Sequence, residues 1–201
     1  AADDMGNSLV GAFTMGAVSG AVQSLISGVG GFVESTREMQ VGLSRLEQNA
    51  QSAGISMDAS SEAFKSFNVI SGETDSSIEA VSNLLQTGFD ENGLAQAVEA
   101  LSGAVIEFPD TLNIESLADG LQETLATGTA TGQFAELLDR VGVGAENFSD
   151  KLAQCTTDAE KQNLVLETLA SAGLNDVYEA YQKNNSGLVS YEDAMTTMQM
   201  N

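Results

Sequence analysis

Between residues 15 and 53 the apolar and small side chains fall alternately three and four apart without a slip: Met15, Val18, Val22, Leu25, Val29, Phe32, Thr36, Met39, Leu43, Leu46, Ala50 and Ala53. Only Thr36 is polar. A mean spacing of three and a half residues keeps these side chains on one face of an α-helix and is incompatible with a strand, whose faces alternate every residue. Sustained this long it is the a/d seam of a coiled coil. The a positions are Met15, Val22, Val29, Thr36, Leu43 and Ala50; the d positions are Val18, Leu25, Phe32, Met39, Leu46 and Ala53. Mixed residue types at both positions do not select a dimer.

A second pattern overlies the first. Gly16, Gly20, Ser24 and Gly28 recur every fourth position, a row of small residues that lets helices approach closely. Residues 5–33 carry no charge and exceed the roughly 20 residues needed to cross a bilayer core, yet they are rich in Gly, Ala and Ser rather than Leu and Ile. Three readings follow: a long core helix, a seam between copies or against a partner helix, and a membrane span. The seam continues in register into the charged residues 37–51, which a simple membrane anchor does not require, so an intermolecular seam is the leading expectation. Glycines 16, 20, 28, 30, 31 and 42 each cost about 1 kcal/mol relative to Ala in an isolated helix. The segment is therefore expected to be helical only when packed.

Beyond residue 57 the pattern changes to short amphipathic segments bounded by caps and breakers. Asp58 is the expected cap of a helix carrying Phe64 and Phe67 and ending near Gly72. Thr74 or Asp75 opens the next, with Ile78, Val81 and Leu85 on one face and Gly88 at its end. Leu94, Val98, Leu101, Val105 and Phe108 form a stripe that stops at Pro109, the one proline of the chain. Asn113 caps a helix with Ile114, Leu117, Leu121 and Leu125, closed by Gly128. Phe134, Leu137, Leu138 and Val141 follow, then Phe148, Leu152 and Cys155, with the thiol expected to be buried. Thr157 and Glu160 form a capping box ahead of Leu164, Leu166 and Leu169. Val177 and Tyr181 lead to a break at residues 184–187, and a last helix begins near Ser190. No stretch alternates with period two. The expected fold is all-α: a long N-terminal heptad helix over residues 1–57, then a compact bundle of short helices over residues 58–201. Aromatics are only 5% of the chain and there is no Trp, so the core is expected to be Leu, Ala and Val rather than rings, with Leu101 and Leu121 at its centre.

Twenty-nine acidic residues against seven basic ones give a net charge of −22. The charge is uneven: residues 1–57 hold five acids and two bases, and residues 58–201 hold 24 acids and five bases, which divides the chain into the same two regions. Phosphate backbones repel such a chain, so no specific nucleic-acid binding is expected. With no His and a single Cys, Ser–His or Cys–His catalysis, His or Cys metal sites and an intrachain disulfide are all excluded. No cofactor is expected. The stretch QKNNSGLVSYED over residues 182–193 resembles an EF-hand loop, with Gly187 at its sixth position. Gln182, Asn184 and Ser186 stand where carboxylates belong, however, and Asp193 replaces the bidentate Glu. A helix–loop–helix turn is the expected reading, a Ca²⁺-binding regulator the other. Pairs such as Asp90/Glu91 and Glu192/Asp193 arise by chance among so many acids. The chain starts without an initiator Met, shows no secretory signal and stops inside what reads as a helix, and is expected to be a piece of something longer.

Four runs of residues together resemble a known family. They are AVEALSGAVIEFPDTLN over residues 97–113, GLQETLATGTATGQFAELL over 120–138, FSDKLAQCTT over 148–157 and AYQKNN over 180–185. They are similar to the core region of tailed-phage tape measure proteins, over about residues 54–185, and an upstream Gly/Ala-rich apolar segment such as residues 5–33 is similar to the family as well. The resemblance implies a non-enzymatic structural protein of the virion. Several copies lie in the lumen of the tail tube, set tail length through their own length, and leave on infection, when apolar segments help DNA cross the host membrane. It implies as partners other copies of the chain, a trimer being favoured, with the tail tube protein, tail-tip and distal tail proteins and tail assembly chaperones. It implies no catalytic residue. Even as one helix, 201 residues reach only about 300 Å, so the measuring length is expected to lie in further chain. The competing class is a membrane-active, pore-forming helical protein with an acidic carrier domain.

Overall fold

The computed structural model describes residues 35–187, with side chains from residue 40 onward, and every regular element among them is an α-helix. In chain order these are α1 (Ser35–Ala53), α2 (Met57–Ser71), α3 (Thr74–Leu85), α4 (Glu91–Glu107), α5 (Ile114–Thr127), α6 (Gly132–Arg140), α7 (Ala145–Leu152), α8 (Asp158–Ser171) and α9 (Leu174–Asn184). The all-α expectation is met by these residues. The expected N-terminal helix over the Gly/Ala-rich residues, and the helix expected near Ser190, lie outside the described residues.

Local chemistry sets the boundaries. The Asn113 side chain accepts from the Ser116 backbone N–H and starts α5, and Asp90 does the same for α4 through Gly93. Thr157 and Glu160 close a full capping box at α8. Helix α2 starts two residues earlier than expected: Ser56, not Asp58, is its cap, accepting from Ala59 N–H at 3.2 Å, and Asp58 stands in the first turn, where a carboxylate favours the helix dipole. Gly72 and Gly128 end α2 and α5 in the left-handed conformation, at φ +67° and +79°, which a side chain would oppose.

Helix α4 is the centre of the packing. Residues 100–104 are all buried, more than a full turn, so the helix is enclosed on every side there. Its main neighbours are α9, α2, α8 and α5. Ala97, Ala100, Gly103 and Ala104 leave room for backbones rather than side chains. A Cβ on Gly103 would lie 1.9 Å from the Leu174 carbonyl oxygen, so the first turn of α9 rests directly on α4. Gly120 plays the same part between α5 and α6, where a Cβ would meet Thr131 O at 2.9 Å and Phe134 N at 3.0 Å. On the other side, α3 packs between α1 and α5, and α5 carries α6, which carries α7.

The core is one continuous cluster running from Leu46 to Leu174. Leu101 and Leu121 are fully buried, as expected. The rings are used more than their number suggests: Phe64, Phe67, Phe134 and Phe148 have no exposed surface, and Phe134 meets Phe148 edge-on at 5.8 Å, a geometry that aligns ring edge with ring face. The body also reaches further back than residue 58, because Leu46, Ala50 and Ile55 belong to the same cluster. Two phases differ from the sequence reading. Val165 and Leu169 are the buried residues of α8, with Leu164 and Leu166 only partly covered, and Leu174 and Tyr178 are those of α9, rather than Val177 and Tyr181.

Three substitutions on α4 separate packing from propensity. Leu101→Ala is expected to cost about 2–5 kcal/mol. Gly103→Ala should destabilise as well, although Ala is favoured over Gly in a helix by about 1 kcal/mol, because the new Cβ collides with the backbone of α9. Ser102, whose buried hydroxyl has no hydrogen-bond partner, should tolerate Ala with stability held or raised. Urea denaturation of each variant measures this; a Gly103→Ala protein as stable as its parent would contradict the close approach of α4 and α9.

Candidate functional site

The candidate site read from the sequence is an assembly surface, and the structure places only its C-terminal end. Met15, Val18, Val22, Leu25, Val29 and Phe32, with the small-residue row Gly16, Gly20, Ser24 and Gly28, lie outside the described residues. Met39 is in α1, its side chain outside the described set. From there on the seam is turned inward. Leu46 is 1% exposed and Ala50 is fully buried, while Leu43 and Ala53 are half-buried against the same cluster. The partner is the chain's own α3: a Cβ on Gly42 would stand 2.7 Å from Ile78 Cδ1. The residues that the heptad assigns to a and d over these last two heptads are therefore the face by which α1 docks on its own body. Leu46, expected to meet a second copy, is covered by its own chain, and Leu43 is partly covered by it. Val41, 42% exposed and off the seam, is the large apolar side chain left in solvent among the described residues.

The acids do structural work on the surface. Asp90 caps α4, and the adjacent Glu91 accepts from the Ser56 backbone N–H at 2.9 Å, tying the start of α4 to the start of α2. The Ser56 hydroxyl, then its N–H, hold the Glu91 carboxyl below its ordinary value. Glu160 is lowered by the backbone N–H of Thr156, then by that residue's hydroxyl and by the N–H of Thr157; the first of these bonds is 2.6 Å long. Lys65, Arg140 and Lys161 pair with Glu62, Glu136 and Asp158 one turn away on their own helices, contacts worth a few tenths of a kcal/mol each. Among the described residues no three His, Cys, Asp or Glu side chains gather as metal ligands.

Two expectations about single residues change. Cys155 is half-buried rather than buried, because α7 stops at Leu152 and leaves the thiol in the following turn, its Sγ 3.6 Å from the Lys151 carbonyl oxygen. In the EF-hand-like stretch, α9 runs through Asn184, so Gln182 and Asn184 are helical rather than part of a loop; Asp193 lies outside the described residues.

The sequence reading missed the side chains that tie distant helices together. Asn175 Nδ2 donates to Gln96 O at 3.2 Å and to Glu99 Oε2 at 3.4 Å, holding α9 to α4. Gln162 Nε2 donates to Thr87 O at 3.0 Å, and Gln133 accepts from Asn113 N–H while donating to Thr111 O. Tyr178 of α9 is buried, and burial pushes its phenol above the ordinary value, with hydrogen bonds to Ser66 and Gln182 opposing the shift. A lone amide on a helix surface carries no periodic signal that would mark it in advance.

Comparison of the chain with protein-family models, with curated proteins and with solved structures returns no match.

The lowered Glu160 gives a pH test. A carboxyl held below its unfolded value adds stability that is complete above that value, about 4.5 for Glu, and that disappears as pH falls through the lower folded one. Glu160→Gln should therefore melt below its parent at neutral pH, and the gap should close on acidification. A gap that stays constant or widens as pH falls, in thermal melts across that range, would show that the charge of Glu160 does not supply this stability.

Proposed function

We propose that this chain is a segment of a tail tape measure protein of a tailed phage: a non-enzymatic structural protein carried in the lumen of the tail tube, made in the host cytoplasm, required for tail assembly and released on infection. The observation that carries the reading is the set of residue runs at 97–113, 120–138, 148–157 and 180–185. The first three of those runs coincide with the packing-critical parts of the body. The first contains Gly103 and Leu101, the second Gly120, Leu121 and Phe134, the third Phe148, and each of these residues is buried. The resemblance thus concerns the positions that build the interior, where a shared fold would constrain the sequence most.

Within that role the body serves as an assembly module. About 153 described residues folded compactly have a radius of gyration near 15 Å, far short of the roughly 300 Å that the whole chain would reach as one helix. Length determination belongs to further chain of the same protein. Its partners are other copies of itself, with three favoured, then the tail tube protein, tail-tip and distal tail proteins and assembly chaperones. The acidic surface of the chain does not suit it to a nucleic-acid clamp. Among the described residues no helix is long and apolar enough to cross a membrane; the uncharged residues 5–33 are the segment on which a membrane-active reading would rest, and flotation of the whole chain with liposomes at neutral pH separates the two.

The direct test uses the full-length gene in its phage. In-frame deletion of helical sequence outside residues 35–187 should shorten the tails by roughly 1.5 Å per residue removed, measured on electron micrographs, while Leu101→Asp inside the body should abolish tails. Tails of unchanged length after both changes would refute the proposal.

A further inference from the structure

The chain contains one Asn-Gly pair, Asn92-Gly93, and one Asp-Gly pair, Asp119-Gly120. At such pairs a polypeptide can rearrange without an enzyme: the glycine nitrogen attacks the side-chain carbonyl carbon before it, and glycine, lacking a Cβ, obstructs that ring closure least. An amide carbon is attacked more readily than an ionised carboxylate, so Asn92 is the more reactive of the two. Both pairs stand in helices, Asn92-Gly93 in the first turn of α4 and Asp119-Gly120 in the middle of α5.

Packing explains the glycine at 93. A Cβ there would lie 3.1 Å from Cδ1 of the buried Phe89 and 3.3 Å from Asp90 Oδ1. Gly93 is buried, whereas Asn92 beside it is exposed. The Gly93 N–H donates to Asp90 Oδ1 at 2.8 Å, the bond that caps α4. The helix opposes ring closure twice. Closure needs Asn92 Cβ and Gly93 N nearly eclipsed about the Asn92 Cα–C bond, and a helical ψ of about −42° holds them apart. The attacking nitrogen must also give up its proton, while the Asp90 carboxylate holds that proton and opposes negative charge on the nitrogen.

We propose that Asn92-Gly93 is a self-modification site, held closed by the Asp90 cap and converting to isoaspartate and aspartate when the first turn of α4 opens. The bond from Gly93 N to Asn92 Cγ forms, the Cγ–Nδ2 bond breaks, and Nδ2 leaves as ammonia with the proton from Gly93. Water then opens the cyclic imide. Opening at the side-chain carbonyl gives aspartate; opening at the main-chain carbonyl routes the chain through Cβ and Cγ and gives isoaspartate. The isoaspartate form adds one atom to the main chain, which takes the Gly93 and Leu94 N–H groups out of register with Asp90, to which both donate. The bond from Ser56 N–H to Glu91 joins this turn to the start of α2, so the change reaches both helices. Asp119-Gly120 is shut more firmly, because the Gly120 nitrogen lies inside the helical ladder of α5 and its Cα faces the start of α6. The inference does not depend on a role in a phage tail.

The whole 201-residue chain, incubated at mildly alkaline pH, supplies the test. Peptide mapping by mass spectrometry reads the exchange of an amide for an acid at residue 92, and enzymatic methylation reads isoaspartate at either pair. Asn92 should convert more slowly in the native chain than in the same chain unfolded in urea, by about tenfold or more. Asp90→Ala should speed conversion about fivefold in the folded chain, with Asp119 unchanged and with parent and variant converting alike in urea. A measurement on the parent alone stands if the variant fails to fold: urea well below the unfolding midpoint should speed Asn92 with a weaker dependence than that of global unfolding. Conversion as fast in the native chain as in the unfolded one, an Asp90→Ala rate equal to that of the parent, or Asn92 and Asp119 speeding together would each overturn the proposal.

Discussion

The close approach of α9 to α4 at Gly103 is the contact on which the other packing depends. A helix enclosed on all sides cannot carry large residues at every position, because four neighbouring helices would be held too far apart to seal a core around it. Ala97, Ala100, Gly103 and Ala104 resolve this by being small, and Leu94, Val98 and Leu101 fill the space that remains. The same device recurs at Gly120 against α6 and at Gly42 against Ile78. Glycine inside helices is costly in isolation, so these positions make the helices dependent on each other: each is stable when a neighbour, backbone at Gly103 and Gly120 and the Ile78 side chain at Gly42, occupies the space a side chain would have taken.

Charge sets the complementary limit. With 29 acids and seven bases, few carboxylates can find a cationic partner, and the three ion pairs among the described side chains are all local and exposed. The body is therefore held by apolar burial and by helix caps, in which carboxylates accept backbone N–H groups instead of pairing with cations, as at Asp90, Glu91 and Glu160. Such a surface keeps copies apart.

Much of this was legible in the sequence wherever the signal was local. The Asn113 cap, the Thr157–Glu160 box and the stops at Gly72 and Gly128 were read in place because the backbone groups they satisfy lie within one turn. Errors arose where several apolar residues sit side by side. In the Leu164-Val165-Leu166 run two phases fit equally well, and the packing of α8 on its neighbours, α4 first among them, buries Val165. The same holds for α9, where the contact of Gly103 with Leu174 fixes the rotation and brings Tyr178 rather than Tyr181 inside. Cys155 kept the spacing of the Phe148–Leu152 stripe after its helix had ended. The seam is the instructive case: periodicity identified the face of α1 that is buried, but a heptad does not say whose surface buries it. The side-chain ties of Gln133, Gln162 and Asn175 span too much sequence to be foreseen from any pattern.

Native-state hydrogen exchange across a denaturant series tests the central role of α4 most directly. If the body is built around it, the amides of residues 100–104 exchange only through global unfolding, with the full denaturant dependence of that transition, while α1 and α7 at the periphery open at lower free energy. Exchange of residues 100–104 through local opening, with α1 or α7 still protected, would contradict the account.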